Sequence, residues 1–461
     1  MEDTKFILSI DGGGFRGIIP AIILNEIEKR VNNEIKKEHQ DVDIRCADLF
    51  DVLSGTSTGS ILALGLSIAE NNRPKFDAEY LVNFYKQHGA DVFPDYSAIM
   101  FVDKLLSKTD KLLADYAKID ATTVETNIRS ITNKGTTIVN NEVKRASKLV
   151  RFFTISKKKQ NETENTTTNE TDASTKNQVD NEPKNKTEDV PNIKPVDNPA
   201  DATLSEANKQ KEREYFNKVV MYIKGYSNAY NPWKPKYLPD EFEDLLQQSF
   251  GKTMLKDTVN NVKVIIPAYN ITSDKITFFT NLYDEHKDYL MKDVIRASAA
   301  APTYFPAKQI NKDYFIDGGV FSNNPTVMAY LEAKKKFPKA KFVVVSLGTG
   351  YYKEPLEGYK NSGVVQWLRP LIDLLFDSGL DSNDTTMKLL AELDGTSYYR
   401  IQLNLTKDDD DLDDVSAKQI ARLTKFASDA MNNPAYKFDE IINLLVDKCK
   451  KLNIFPTKNK K

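Results

Sequence analysis

The stretch Gly55-Thr-Ser57-Thr-Gly59 lies between two apolar segments of different character. Residues 49–53 have the short apolar run of a buried strand, and residues 61–68 have the longer apolar run of a buried helix. Glycines on both sides of a serine allow a tight strand-to-helix turn that leaves the serine oxygen exposed. The stretch therefore predicts an α/β fold in which Ser57 is a candidate nucleophile at the end of a strand.

A second strand-turn-helix unit lies near the start of the chain. Residues 6–10 are apolar, and residues 18–31 repeat apolar side chains at helical spacing. Between them, Asp11-Gly-Gly-Gly-Phe-Arg-Gly17 leaves backbone N–H groups unshielded where a helix begins. Such groups can bind the oxyanion of an acyl-transfer intermediate. The pattern also fits the dinucleotide-binding fingerprint, although residues 32–43 are polar where that fold needs an apolar strand.

The third motif, Asp317-Gly-Gly319, follows a short apolar strand at residues 314–316. Its carboxylate can face Ser57 from a strand end, but Asp-Gly is also a common turn pair. A serine nucleophile needs a base to remove its proton. The chain has only three histidines, and each lies in a segment typical of a surface position: His39, His88 and His286. Their scarcity favours a carboxylate as the base.

Composition restricts the class of protein. The chain has 461 residues, 28% of them charged, and a net charge of only -2, which argues against nucleic acid as the main partner. Two cysteines, Cys46 and Cys449, are too few for a disulfide framework or a four-thiolate zinc site. We see no secretory signal and no apolar run of about 20 residues. We expect a cytoplasmic or peripheral membrane protein, with non-classical export left open.

Taken together, the motifs resemble those of the patatin-like phospholipases, which are related in catalytic design to the catalytic domain of cytosolic phospholipase A2. Further segments match the family at residues 296–306, 323–326 and 346–350. The resemblance implies a three-layer α/β/α fold with a central, mostly parallel sheet, formed by residues 5–140 and 215–350.

Two regions lie outside this resemblance. Residues 141–214 form a low-complexity segment, and from residue 156 onward they lack aromatic residues, methionine and glycine, so we predict a disordered insertion there. Residues 351–461 show mostly amphipathic helical patterns and end in a basic tail. We therefore predict a helical C-terminal extension.

The resemblance also implies roles for individual residues. It identifies Ser57 as the nucleophile and Asp317 as the general base of a Ser-Asp dyad. It implies an oxyanion hole built by the N–H groups of Gly12, Gly13, Gly14 and Thr58. Arg16 either orders that loop or attracts anionic headgroups. Supporting positions are Gly17, Gly55, Gly59, Gly318 and Gly319. No metal and no other cofactor is required.

The implied activity is that of a phospholipase of the A2 or A1 type, acting through an acyl-Ser57 intermediate. The alternatives are an acyl hydrolase or acyltransferase on triglyceride, lysophospholipid or galactolipid, and a non-catalytic lipid-binding scaffold. The expected partners are a lipid substrate and a membrane surface. Aromatic residues with interleaved lysines suit such a surface, and we identify residues 92–102 and 215–234 as candidate contacts. A protein activator stays open.

Overall fold

The computed structural model describes residues 3–94, 234–259, 262–353 and 355–457. The chain divides into two compact units, of which the first comprises Met1–Asp95 and Ser227–Lys461. The second unit, Tyr96–Tyr226, lies outside the described residues. The insertion predicted at residues 141–214 falls there, and so do most of the two candidate membrane contacts. These predictions, and the domain limits that depend on them, stay predictions.

In the described part of the chain, eight strands form one sheet at the centre of the first unit. They are β1 (Thr4–Ile10), β2 (Val52–Gly55), β5 (Lys263–Asn270), β6 (Lys275–Thr280), β7 (Lys308–Ile310), β8 (Asp313–Asp317), β9 (Lys341–Leu347) and β10 (Ser397–Ile401). A separate antiparallel pair is formed by β3 (Ala69–Glu70) and β4 (Arg73–Pro74). The sheet order is β10-β9-β1-β2-β5-β8-β7, with β6 also paired to β5. The first five strands of this order are parallel, and the pairs β5–β6, β5–β8 and β7–β8 are antiparallel.

Helices cover both faces of the sheet. They are α1 (Ile18–Ile35), α2 (Cys46–Leu49), α3 (Thr58–Ser67), α4 (Ala78–Val92), α5 (Asp240–Phe250), α6 (Met291–Ser298), α7 (Gly319–Ser322), α8 (Thr326–Lys336), α9 (Val364–Asp394), α10 (Ala417–Met431) and α11 (Phe438–Leu452). On one face, Ile7 and Val52 share a core cluster with Tyr330 of α8. On the other face, the ammonium group of Lys448 in α11 lies 4.9 Å from the ring centroid of Phe6. Successive side chains of a strand point to opposite faces, so the predicted three-layer α/β/α fold is confirmed.

The burial of the central strands explains their sequences. β2 is buried at every position, and β9 is buried at every position except its first. Parallel strands with helices on both faces are apolar almost throughout rather than alternating. The predicted helical C-terminal region is present as α9, α10 and α11, and it also contributes β10 to the edge of the sheet.

The strand predicted at residues 49–53 begins later than expected, because α2 precedes β2. The side chain of Asp48 accepts the N–H of Arg45 at 2.9 Å and pairs with Arg73 at 2.8 Å. These contacts stabilise a short helical turn in which Leu49 is fully buried. A buried apolar residue looks the same in either element, so the sequence pattern placed the boundary wrongly.

No helix in the described ranges is long and apolar enough to cross a membrane. Cys46 and Cys449 are both buried as free thiols. Over the same ranges, no group of three or more histidine, cysteine, aspartate or glutamate side chains is placed to hold a metal ion.

Candidate active site

Ser57 occupies the sharp turn between β2 and α3. Its φ of 53° and ψ of -120° are a conformation that non-glycine residues rarely adopt. A side chain on Gly55 would overlap the carbonyl oxygen of Gly59, so only glycine permits this turn. Ser298 accepts the N–H of Ser57 at 3.0 Å, and its hydroxyl donates to the carbonyl of Pro267 at 2.7 Å. The surrounding contacts therefore hold the serine in a strained conformation, as is common for active-site residues.

Asp317 is the last residue of β8 and is only 1% exposed. Its Oδ1 accepts the N–H of Gly319 at 2.7 Å, whereas Oδ2 has no hydrogen-bond partner among the described residues. Burial raises the pKa of Asp317 to about 7, against the opposing effects of Ser57, the Gly319 N–H and the charge of Arg296. A carboxyl group with such a pKa can act as a general base at neutral pH.

Ser57 and Asp317 line the same cavity. Burial raises the pKa of Asp317, and the nearby Ser57 hydroxyl has a smaller, opposite effect on that pKa. No bond from Ser57 to the buried Oδ2 meets ordinary hydrogen-bond geometry. Catalytic hydrogen bonds are often long without substrate and shorten in the reacting complex, so this arrangement is compatible with a nucleophile and its base.

The glycine loop lies beside Ser57. Gly12 donates its N–H to the carbonyl of Asn323 at 3.0 Å, and its own carbonyl accepts the hydroxyl of Thr349 at 2.7 Å. A side chain at Gly12 would overlap Asn323 and lie 3.3 Å from the Cβ of Ser57. Three other backbone N–H groups of the loop and the elbow have no acceptor among the described residues: Gly13, Gly14 and Thr58. Those three donors are available for an oxyanion.

Arg16 contacts the glycine loop from within the protein. It is only 6% exposed, and its guanidinium group pairs with Asp410 and lies 3.5 Å from the carbonyl oxygen of Gly13. The neighbouring Phe15 N–H donates to the carbonyl of Leu412 at 2.7 Å. Of the two roles expected for Arg16, this geometry fits loop ordering, because its charge is already paired with a carboxylate.

A buried ion pair anchors the first residue of the glycine motif. Asp11 is fully buried, and both of its carboxylate oxygens accept hydrogen bonds from Arg400 of β10. Arg400 also donates to the hydroxyl of Ser346 at 2.9 Å. Two parallel hydrogen bonds define direction as well as distance. The start of the glycine loop is therefore held by a strand of the C-terminal region.

The wall of the cavity around Ser57 is mainly apolar and aromatic. It includes Ile61, Phe84, Phe93, Phe242, Phe305 and Phe376. Phe93, part of a predicted membrane contact, packs here with its ring centroid 6.0 Å from that of Phe305. Aspartates also line the cavity, among them Asp373, Asp377 and Asp411, so its wall combines an apolar part with an acidic one. The apolar part is typical of a site for a hydrophobic ligand.

None of the histidines forms a hydrogen bond to Ser57 in the described structure. His88, expected at the surface, contributes a partly exposed ring to the cavity wall, and its Nδ1 lies 2.9 Å from Oδ2 of Asp91 on the same helix. His39 stacks on Phe455 with ring centroids 3.8 Å apart. His286 packs edge-on against Phe279 at 5.4 Å. Asp317, which lines the same cavity as Ser57, stays the candidate base.

The family model for patatin-like phospholipases matches residues 8–330, more than half of the chain. The chain belongs to the patatin-like phospholipase family. This membership indicates a lipid acyl hydrolase in general terms. The match ends within α8, so α9, β10 and the residues that hold the glycine loop from the C-terminal side lie beyond it.

The chain is also similar to individual plant proteins. It is 24% identical to patatin-like protein 2 of Oryza sativa subsp. indica over 473 residues, covering 94% of this chain and 85% of that protein. It is 25% identical to patatin-like protein 1 of Arabidopsis thaliana, covering 90% and 77% of the two chains. A shorter match to patatin-B1 of Solanum tuberosum is 44% identical over 102 residues, covering 22% of this chain and 25% of that protein.

Sequence reasoning left several supporting residues unassigned. Ser298, Asn323 and Thr349 lie in the segments at residues 296–306, 323–326 and 346–350, so a signal was present without a role. Arg400, Asp410 and Phe376 stand in no recognisable motif. Their contacts with the site depend on the tertiary fold alone.

Proposed function

We propose that this enzyme is a phospholipase of the A2 or A1 type that cleaves fatty acyl esters through an acyl intermediate on Ser57. The observation that supports this most strongly is the buried carboxyl group of Asp317, with a pKa of about 7, beside a serine on a strained elbow. An aromatic cavity suited to an acyl chain opens at the same place.

The proposed reaction begins with the ionised form of Asp317. It accepts the proton of the Ser57 hydroxyl as the oxygen attacks the ester carbonyl carbon. The carbonyl oxygen becomes negative and accepts hydrogen bonds from backbone N–H groups. The tetrahedral intermediate collapses to acyl-Ser57, and the departing alcohol takes the proton from Asp317. Water then gives a proton to Asp317 as its oxygen attacks the acyl carbon. The fatty acid leaves as the acyl–Oγ bond breaks, and Asp317 returns the proton to the Ser57 oxygen.

The oxyanion hole in this proposal has fewer backbone N–H donors than the family resemblance implies. The N–H of Gly12 is already bonded to Asn323, which leaves the donors of Gly13, Gly14 and Thr58. The N–H after the nucleophile is a usual donor at a nucleophile elbow. Gly12 instead has a steric role, because any side chain there would overlap Asn323 and crowd Ser57.

Product analysis on phosphatidylcholine vesicles tests the proposal. We expect wild type to release free fatty acid and lysophosphatidylcholine, identified by mass spectrometry, and Ser57→Ala to lower the rate by at least ~10³-fold. Ser67→Ala is the matched control, because Ser67 is a buried serine at the other end of α3 whose hydroxyl donates to the carbonyl of Leu64 in the same helix. The proposal fails if Ser57→Ala keeps the wild-type rate, or if Ser67→Ala loses as much.

A further inference from the structure

The outward face of α9 carries an apolar patch beside the catalytic cavity. Leu371, Leu374 and Leu375 are 48%, 39% and 45% exposed. Residues three and four apart lie on the same face of a helix, so these side chains adjoin one another. We call these three residues the leucine patch. The opposite face of the same turns lines the cavity with Asp373, Phe376 and Asp377.

The leucine patch is unusual for a protein surface. Single exposed leucines are ordinary, but adjacent ones that form a contiguous patch mark an interaction surface. Trp367 lies on the same side of α9 one turn earlier, and its ring is 5.6 Å from that of Tyr359. Aromatic residues beside exposed aliphatic ones are typical of proteins that rest on a membrane.

The charge of α9 limits which lipid surface can be its partner. Around the leucine patch, residues 367–377 contain one basic residue, Arg369, and two acidic ones, Asp373 and Asp377, so this part of α9 has no basic cluster. Anionic lipids repel acidic segments and attract basic ones. An apolar patch without a basic cluster therefore fits a zwitterionic or uncharged lipid surface.

We infer that the leucine patch docks the enzyme onto a zwitterionic or uncharged lipid surface. The inference rests on the proposed function, because the cavity beside the patch must then receive its acyl ester from that surface. The patch and the cavity wall are opposite faces of one helix, whose diameter with side chains is about 10 Å. An apolar helix face sinks about 5–10 Å into a bilayer. Docking through the patch thus brings the cavity close to the layer that contains the ester.

The test compares two sets of substitutions on α9. The patch variant is Leu371→Ser/Leu374→Ser/Leu375→Ser. The matched control is Leu389→Ser/Leu393→Ser, because these leucines are 56% and 83% exposed on the same helix. The control positions lie about 20 Å or more farther along α9 at 1.5 Å per residue. Neither set lines the cavity.

Each variant is measured in three ways: sedimentation with vesicles, hydrolysis of vesicle phosphatidylcholine, and hydrolysis of a short-chain ester in monomeric solution. We expect the patch variant to lose ~10-fold or more in vesicle binding and in vesicle hydrolysis. Its rate on the monomeric ester should stay within ~2-fold of wild type, since the chemistry is untouched. The control variant should keep all three. Adding phosphatidylglycerol to the vesicles should not strengthen wild-type binding.

Several outcomes overturn the inference. The inference is wrong if the patch variant binds vesicles as well as wild type does. If that variant also has a lowered melting temperature, the leucine patch makes a contact within the chain instead. An equal loss of vesicle binding in the control shows that binding does not depend on the leucine patch in particular. Binding that requires anionic lipid contradicts the charge argument. If wild type cleaves neither vesicle lipid nor the monomeric ester, the proposed function fails, whereas sedimentation still reports on docking.

Discussion

The two sides of the catalytic cavity come from regions of different character. Residues 8–330, which match the family, contribute the nucleophile elbow, the glycine loop and Asp317. The region beyond residue 330 contributes no reacting group to the proposed mechanism, yet most bonds that hold the glycine loop come from it. They are donated or accepted by Thr349, Arg400, Asp410 and Leu412. Under the proposed mechanism, the first region contributes the reacting groups, and the second contributes most of the contacts that position the glycine loop.

This difference follows from the nature of glycine. Consecutive glycines present N–H groups without obstruction, but they have more conformational freedom than any other residue. A loop of this kind needs external bonds if its donors are to be preorganised. Side chains of the C-terminal region and the backbone carbonyl of Leu412 contribute those bonds. Loss of that region is therefore expected to impair catalysis without removing a proposed reacting group.

The largest effect should come from the base in the first region. We expect Asp317→Asn to lower kcat by ~10³–10⁴-fold, since an amide cannot accept the serine proton. His88→Ala tests an alternative triad of Ser57, His88 and Asp91, because His88 lies in the cavity wall and is hydrogen-bonded to Asp91. We expect it to cost less than ~5-fold. Equal losses in the two variants, measured on a monomeric ester, would replace the dyad with a histidine-dependent site.

A smaller but clear effect should come from Arg400 in the second region. Arg400→Ala leaves Asp11 buried without its partner, which costs about 3–5 kcal/mol of stability when a buried pair is broken. In the fraction that folds, we expect kcat to fall by ~10–100-fold with little change in KM, because only the oxyanion donors are displaced. Arg400→Lys should recover part of kcat, since it restores charge without the two parallel hydrogen bonds.

Thermal unfolding and kinetics together decide that prediction. A purely structural role predicts loss of folded protein and a normal kcat per active site. A folded Arg400→Ala enzyme with wild-type kcat would show that the glycine loop keeps its position without β10. The comparison between the two regions would then not hold.

The smallest effect should be a displacement of the pH profile. Under the proposed mechanism the ionised form of Asp317 is the active one. Activity should therefore rise with pH and reach half its maximum near pH 7, because burial raises the pKa of Asp317 to about 7. The charge of Arg296 lowers that pKa. Arg296→Gln should therefore move the rising limb of the pH profile to higher pH. If the rising limb of a folded Arg296→Gln enzyme stays at the wild-type pH, Arg296 does not lower the pKa of the group that controls activity.

The sequence predicted the parts of this site that local pattern controls. The buried strand β1 and the elbow at Ser57 could be predicted because hydrophobic runs and glycine spacing act over a few residues. The pairing of Gly12 with Asn323 could not, since it depends on contacts across the fold. The same holds for Arg400, which comes next to Asp11 from a position 389 residues away. In the sequence, the leucine patch has the same pattern as the buried side of an ordinary amphipathic helix, so its exposure could not be predicted.

The ion pair between Asp11 and Arg400 has a consequence for the order of biosynthesis. A ribosome adds about 5–20 residues per second, so roughly 20–80 s separate the synthesis of the two partners. Once residue 317 has been added and until β10 joins the sheet, the nascent chain contains both proposed reacting groups but lacks the anchor of its glycine loop. Under the proposed mechanism, catalytic competence therefore arises late in translation, and a chain released early would carry the nucleophile without an ordered oxyanion hole.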